Sequence, residues 1–254
     1  MSNEVIKKDT GSVALFGDDL QKGFENMTQE DMALPFVRIL GQLSPQVTDG
    51  DAKYIDGAKP GMIYNTVTSE CFDGKKGIKV IPCYYKKDFP EWSDRGDGPG
   101  APVAVHLPNS PVIQTGKRDG SKIRLPNGNY LEETASYYVL VQTKAGGMTP
   151  ALITMKSTQL NVSKKWNSMM KTIQIPDGKG GFAIPPMHGV VYNLQSVLQK
   201  NDKGSWYGWS VAQDRIMGQE DKSLYLNAKD FRGNVSKGNV QTKADVEEKA
   251  KDNT

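Results

Sequence analysis

A chain of 254 residues can bury a sizeable core, yet only 37% of this one is apolar and its mean hydropathy is −0.55. No run approaches the length of a membrane-spanning helix, and the N-terminus lacks the charged-then-apolar order of a secretory signal. Twenty-six glycines and fourteen prolines point to a β-rich fold with many turns, and the two cysteines, Cys71 and Cys83, read as small core residues rather than a disulfide framework. The expectation is a soluble, cytoplasmic protein.

The formal net charge of +3 is spread unevenly. Residues 1–31 carry three basic and seven acidic side chains, whereas residues 134–201 carry seven lysines against one acid, Asp177. So one-sided a block suits an anionic partner, phosphate first.

In chain order, residues 1–30 lack strong periodicity and read as a flexible acidic arm. "LPFVRILGQLSP" (34–45) is apolar enough to dock on a core as a short helix or strand. "GMIYNTVT" (61–68) reads as a strand, closed by a turn at "DGKKG" (73–77), and "IKVIPCYYKK" (78–87) as the next. A long, irregular loop insertion is expected over 88–130, where "RGDGPGAP" and "RLPNGNY" lie. "TASYYVLVQT" (134–143) and "PALITMK" (150–156) make a hairpin across "KAGGM", and "GVVYNLQSVLQ" (189–199) pairs with "SWYGWSVAQ" (205–213) across "KNDKG". Between the hairpins "MKSTQLNVSKKWNSMMKTI" (155–173) predicts a helix. Ser157 and Thr158 are its N-cap candidates, and Val162, Trp166, Met169, Met170 and Ile173 recur at helical spacing. Residues 216–254 turn polar and are expected to be a largely disordered tail.

The order of strands, helix and closing hairpin is compatible with a five-stranded OB barrel, whose helix falls between the third and fourth strands. The expected architecture is therefore mainly β (α+β), a modified OB-fold barrel over residues 31–215 between an acidic arm and a polar tail. Such barrels bind single-stranded nucleic acid with basic residues on the phosphates and aromatic rings on the bases.

Three segments supply candidates for that chemistry. In "YYKKDFPEWSDR" (84–95), Tyr85, Lys86, Lys87, Trp92 and Arg95 set rings beside cations, against the plainer reading of a strand end with solvated lysines. The helix offers Lys164, Lys165 and Lys171, mostly off its apolar stripe, and Trp166 on the stripe, where core packing competes with stacking; Lys156, at the end of the preceding strand, is a further candidate. The second hairpin offers Lys203 and Trp206. Strand alternation puts Tyr207, Trp209 and Val211 on the core face and Trp206 on the other, with Gly208 leaving room for a flat base beside it.

Catalytic chemistry finds little support. His106 and His188 have no metal-ligand spacing with the cysteines, and no phosphate-binding loop or nucleophile elbow occurs. Asp88, Glu91, Asp94 and Asp97 could hold a divalent ion, but solvated loop carboxylates are far commoner. Neither an enzyme nor a cofactor nor a metal site is expected.

The blocks "ALPFVRILGQLSP", "PGMIYNTVT", "IKVIPCYYKKDFPEW", "STQLNVSKKW" and "NDKGSWYGW" together resemble a family encoded by tailed bacteriophages and described as single-stranded DNA-binding proteins. The resemblance runs from about Leu34 to Val211. It implies a protein that coats single-stranded DNA (RNA being the other candidate) without sequence specificity during replication or recombination, with proteins of those processes as partners. A virion or host-takeover protein using the barrel to bind another anionic partner is the alternative, and a Mg²⁺-dependent nuclease the third. One departure stands out: residues 241–254 mix three basic with four acidic groups, unlike the acidic C-terminal tail of many single-strand binders.

Overall fold

The computed structural model describes residues 15–20, 22–27, 31–93, 101–202 and 204–240. They fall into two units, residues 1–32 and 33–254. In the first, a short helical turn at Gly17–Asp19 is joined to Lys22 by an ion pair of 2.6 Å to Asp19. Every described side chain of this unit is exposed, Leu15, Phe16, Leu20 and Phe24 among them.

In the second unit Val37–Ile39 (β1), Ile63–Asn65 (β2) and Cys71–Phe72 (β3) form a small antiparallel sheet. The long strand Ile78–Trp92 (β4) is followed by Ala104–His106 (β5), the short helix Pro111–Thr115 (α1), Lys117–Asp119 (β6), Lys122–Arg124 (β7) and Tyr130–Glu132 (β8). Thr134–Gln142 (β9) and Met148–Lys156 (β10) form the first expected hairpin, and Leu160–Thr172 is the expected helix (α2). A two-stranded ribbon, Ile175–Pro176 (β11) with Phe182–Ala183 (β12), leads to the second expected hairpin, Val190–Asn201 (β13) with Gly204–Ile216 (β14). Lys222–Ser236 is a helix (α3).

The fold is mainly β, built on a curled antiparallel half-barrel. Its strands lie side by side as β10-β9-β4-β13-β14, with α2 between the third and fourth in chain order, the arrangement expected of an OB-like barrel. β4 lies between the two hairpins, pairing with β9 along one edge and with β13 along the other. Pro82 has no N–H for the ladder, and the register against β9 slips between Pro82 and Tyr84, leaving Cys83 at the bulge. Past the slip, ordinary alternation sends Tyr84 and Tyr85 to opposite faces, against Tyr138 and Tyr137 respectively. No ladder joins β10 to β14; instead Phe36 bridges Leu152 in parallel and the β1–β3 sheet lies by the gap. Gly61 allows that approach, since a Cβ there would fall 2.5 Å from the Tyr207 ring.

The interior is filled by Val37, Ile63, Val80, Tyr137, Val139, Ile153, Tyr192, Leu194 and Trp209, and α2 plugs it with Trp166 and Met170. Trp166 is fully buried, stacked on Tyr137 at 4.3 Å and edge-on to Tyr192 at 5.6 Å. The Tyr137 hydroxyl ties β9 to α2, 2.7 Å from Ser163 Oγ and 2.9 Å from Asn167 Oδ1. Burial of Cys83 pushes its thiol up to about 12, as suits a core residue.

Two expectations need correcting. The stretch after 215 is not all tail: α3 lays Ala228 and Phe231 over Ile81, Cys83, Tyr138 and Val191 on the sheet's outer face. Leu224, Ala228, Phe231 and Val235 recur at helical spacing, but the charged residues between them dilute the stripe. Arg215 anchors the start of α3, with Nη2 2.8 Å from Asp221 Oδ1. Residues 241–254 lie outside the described residues. Nor are the described residues of 88–130 irregular throughout. β4 runs on to Trp92, where it pairs with β5 and β8, and β6-β7-β8 form a meander over Phe89, Ile123, Leu125 and Leu131. Buried Glu91 holds this appendage together, accepting hydrogen bonds from Asn129 (2.6 Å), His106 (2.7 Å) and Asn127 (3.1 Å). Burial pushes the Glu91 carboxyl up, and those bonds outweigh it, leaving it below the ordinary carboxylate range.

Candidate nucleic-acid interface

The start of α2 differs from a simple capped helix. Ser157 sits at φ 51°, and residues 157–159 make a tight 3-10 turn, so Gln159 rather than Ser157 or Thr158 occupies the N-cap position. Its side chain does not cap. It reaches β14 instead, where Oε1 accepts the Trp209 backbone N–H at 2.7 Å. This bond fixes the helix against the second hairpin.

From that anchor α2 turns Ser163, Trp166 and Met170 inward and leaves Lys164, Lys165 and Lys171 exposed. None of these three lysines has an ion-pair partner among the described residues. No acid sits in the first turn to offset Lys164 and Lys165, which follow directly on the positive end of the helix dipole. Trp166 is removed from the candidate set: with no surface left exposed, its ring cannot meet a base.

On the hairpin the expected alternation holds. Trp209 lies in the core opposite Ser196, and Trp206 lies on the other face opposite Gln199, half-buried. Gly208 does not leave space for a base. A Cβ there would fall 2.3 Å from Gln159 Nε2 and 2.9 Å from Gln199 Nε2, so the missing side chain makes room for the helix anchor. Trp206 instead borders a shallow, open depression of about 320 Å³, shared with Ser157, Thr158, Asn201, Gly204 and Ser205. Its indole N–H is buried without a protein acceptor. Lys200 is exposed at the hairpin end, opposite Ser205, a cation that sequence reasoning passed over. Lys203 lies outside the described residues.

The remaining candidates are more constrained. Tyr85 is half-buried against Tyr137, its ring part of the interior. Lys86 pairs with Asp88 at 3.3 Å, Lys87 with Glu133 at 2.8 Å and Lys156 with Glu132 at 2.7 Å. Phosphate would have to compete with those carboxylates. Arg95, Asp94 and Asp97 lie outside the described residues, and no cluster of metal-ligating side chains occurs among the described ones. Trp92 is opposite Tyr130 on the appendage, far along β4 from the residues that pair with β13.

That pairing exposes a second group that sequence reading missed. The register puts Lys117, Arg124, Tyr130 and Trp92 side by side across four neighbouring strands. Lys122 Nζ stands 3.6 Å over the Tyr130 ring centre and the Arg124 guanidinium 5.6 Å from it. Period-two spacing in "KIR" and "YLE" could have revealed the shared face, had the segment been read as strands.

The structure thus brings together the 3-10 turn leading into α2 and the hairpin bearing Trp206, and Trp92 belongs to a separate cluster. Exposed cations on such a helix can hold phosphates, and a half-buried indole at an open depression can stack a base. No helix among the described residues is long and apolar enough to cross a membrane. Residues 7–241 match the Pam3 phage gp34-like protein family, and the chain belongs to it. No curated protein and no solved structure matches the chain.

Proposed function

We propose that this member of the Pam3 phage gp34-like family is a non-catalytic single-stranded DNA-binding protein. It coats exposed strands without sequence preference during phage replication or recombination. The observation that carries the reading is the α2 face: Lys164, Lys165 and Lys171 are exposed and unmatched by any acid among the described residues, on a helix whose leading 3-10 turn lines the Trp206 depression. Unmatched lysines contribute nothing to folding and repel one another. They become favourable when a polyanion releases its counterions to them. An OB-like barrel with a ring at its hairpin end adds the sequence-tolerant stacking that such binding uses.

A second reading, a virion or host-directed protein that binds another protein, is favoured by the exposed Leu15, Phe16, Leu20 and Phe24 of the first unit. Titrating a fluorescent thymidine oligonucleotide with the full chain, with and without Mg²⁺, tests the proposal. Saturable binding independent of Mg²⁺ is expected. Absence of binding at low salt would leave the protein-binding reading, and cleavage with Mg²⁺ would make the protein a nuclease. A matched RNA competitor measures the preference for DNA.

A further inference from the structure

The β11–β12 ribbon lies within the lysine-rich block, between α2 and β13, and plays no part in the barrel core. It is a built element. Asp177 donates its N–H to the Gly181 carbonyl at 3.0 Å, and its carboxylate accepts the N–H groups of Lys179 (2.8 Å) and Gly181 (2.9 Å). Gly178 and Gly180, at φ 74° and 89°, supply the left-handed conformations the turn requires. The backbone bonds from Lys179 and Gly181 hold the Asp177 carboxyl below the ordinary range. The one acid among the seven lysines of residues 134–201 is therefore committed to the turn.

What the ribbon presents is an apolar ring in a cationic setting. Phe182 is 71% exposed, cross-strand from exposed Pro176, and Ile184, just beyond the ribbon, is 54% exposed. Lys179 stands in the turn, and Lys171 precedes the ribbon by four residues, both exposed. A hydrogen-bonded turn that leaves a phenyl ring in water loses hydrophobic free energy that an inward-facing ring would gain. A single nucleic-acid strand supplies both missing partners, flat bases for the ring and phosphates for the lysines.

We propose that Phe182 is a base-stacking residue for single-stranded nucleic acid, with Lys171 and Lys179 on the flanking phosphates. This extends the bound strand from the Trp206 depression along α2 to the ribbon, and it rests on the strand-binding function proposed above. A protein partner is the competing occupant. The lysines and the committed state of Asp177 favour a polyanion over an apolar protein surface.

The test measures the affinity of the full chain, Phe182→Ala and Phe182→Trp for a fluorescent thymidine oligonucleotide, with the melting temperature of each variant as the folding control. Loss of one stacked base weakens Phe182→Ala by about five- to 150-fold. Phe182→Trp keeps the affinity and adds a fluorescence component that the oligonucleotide quenches. An unchanged affinity for folded Phe182→Ala, with the parent binding normally, overturns the ribbon assignment and leaves the proposed function standing. Failure of the parent itself to bind removes both. Loss of self-association in Phe182→Ala with unaltered strand binding would assign the ring to a protein contact and overturn the proposal.

Discussion

Replacing Lys164 and Lys165 together by glutamine isolates the electrostatic part of binding. Both side chains are exposed and lack ion-pair partners among the described residues, so nothing in the fold is left uncompensated. Glutamine matches lysine closely in helix propensity, and surface changes of this kind shift stability by no more than about 0.5 kcal/mol. Each phosphate contact with a single strand contributes a slope of about −0.7 in log K against log salt. Two lost contacts flatten the slope by about 1.4. Because this contribution vanishes on extrapolation to about 1 M salt, the affinity falls roughly 25-fold at about 0.1 M and roughly tenfold at about 0.2 M. Fluorescence anisotropy with a labelled oligonucleotide over that range measures both quantities. A folded double variant with the parental slope would show that α2 does not touch the strand. A loss equal at all salt concentrations would point to a disturbed fold or a non-ionic contact instead.

Trp206→Ala is expected to weaken strand binding by about 1–3 kcal/mol, whereas Trp209→Ala, which empties a core site only 5% exposed, destabilises the domain by about 3–5 kcal/mol. Oligonucleotide titration and thermal melting separate the two, and a reversal of the phenotypes would overturn the assignment of the faces. The hydrogen bond from Arg215, with that from the Gly218 N–H, holds the Asp221 carboxyl below its ordinary value, so its contribution is present above the unfolded pKa of about 3.9 and is lost as pH falls through the folded value. Amide exchange along α3 should therefore accelerate in acid for the parent. Asp221→Asn should be less protected at neutral pH and less sensitive to acid; identical profiles would exclude the anchor. Deleting residues 1–30 is expected to tighten strand binding at low salt, the gain shrinking as salt is raised, if this acidic segment competes with nucleic acid. Equal affinity would leave it a solubilising segment, and weaker affinity would make it part of the binding surface.

Much of the barrel was legible from residue patterns. Period-two runs bounded by glycine-rich turns marked 134–156 and 189–213 as hairpins, and helical spacing marked the segment between them. The same alternation separated Trp209 from Trp206. These are local properties, set by where each Cβ points along a helix or strand, and they need no knowledge of the neighbours.

The value of each cation was a different matter. Lys86, Lys87, Lys156, Lys164 and Lys165 look alike in the chain, yet Asp88, Glu133 and Glu132 neutralise the first three, while the last two face water. Glu132 is 24 residues from Lys156 and meets it only because β9 and β10 pair in one register. Gly208 likewise reads as open space in isolation, and only the packing of α2 puts Gln159 over it. Local pattern determined the elements and the face each side chain takes. Apart from the local Lys86–Asp88 pair, which charges stay free and which gaps stay open depends on through-space distances between residues remote in the chain, and those exist only once the barrel has formed.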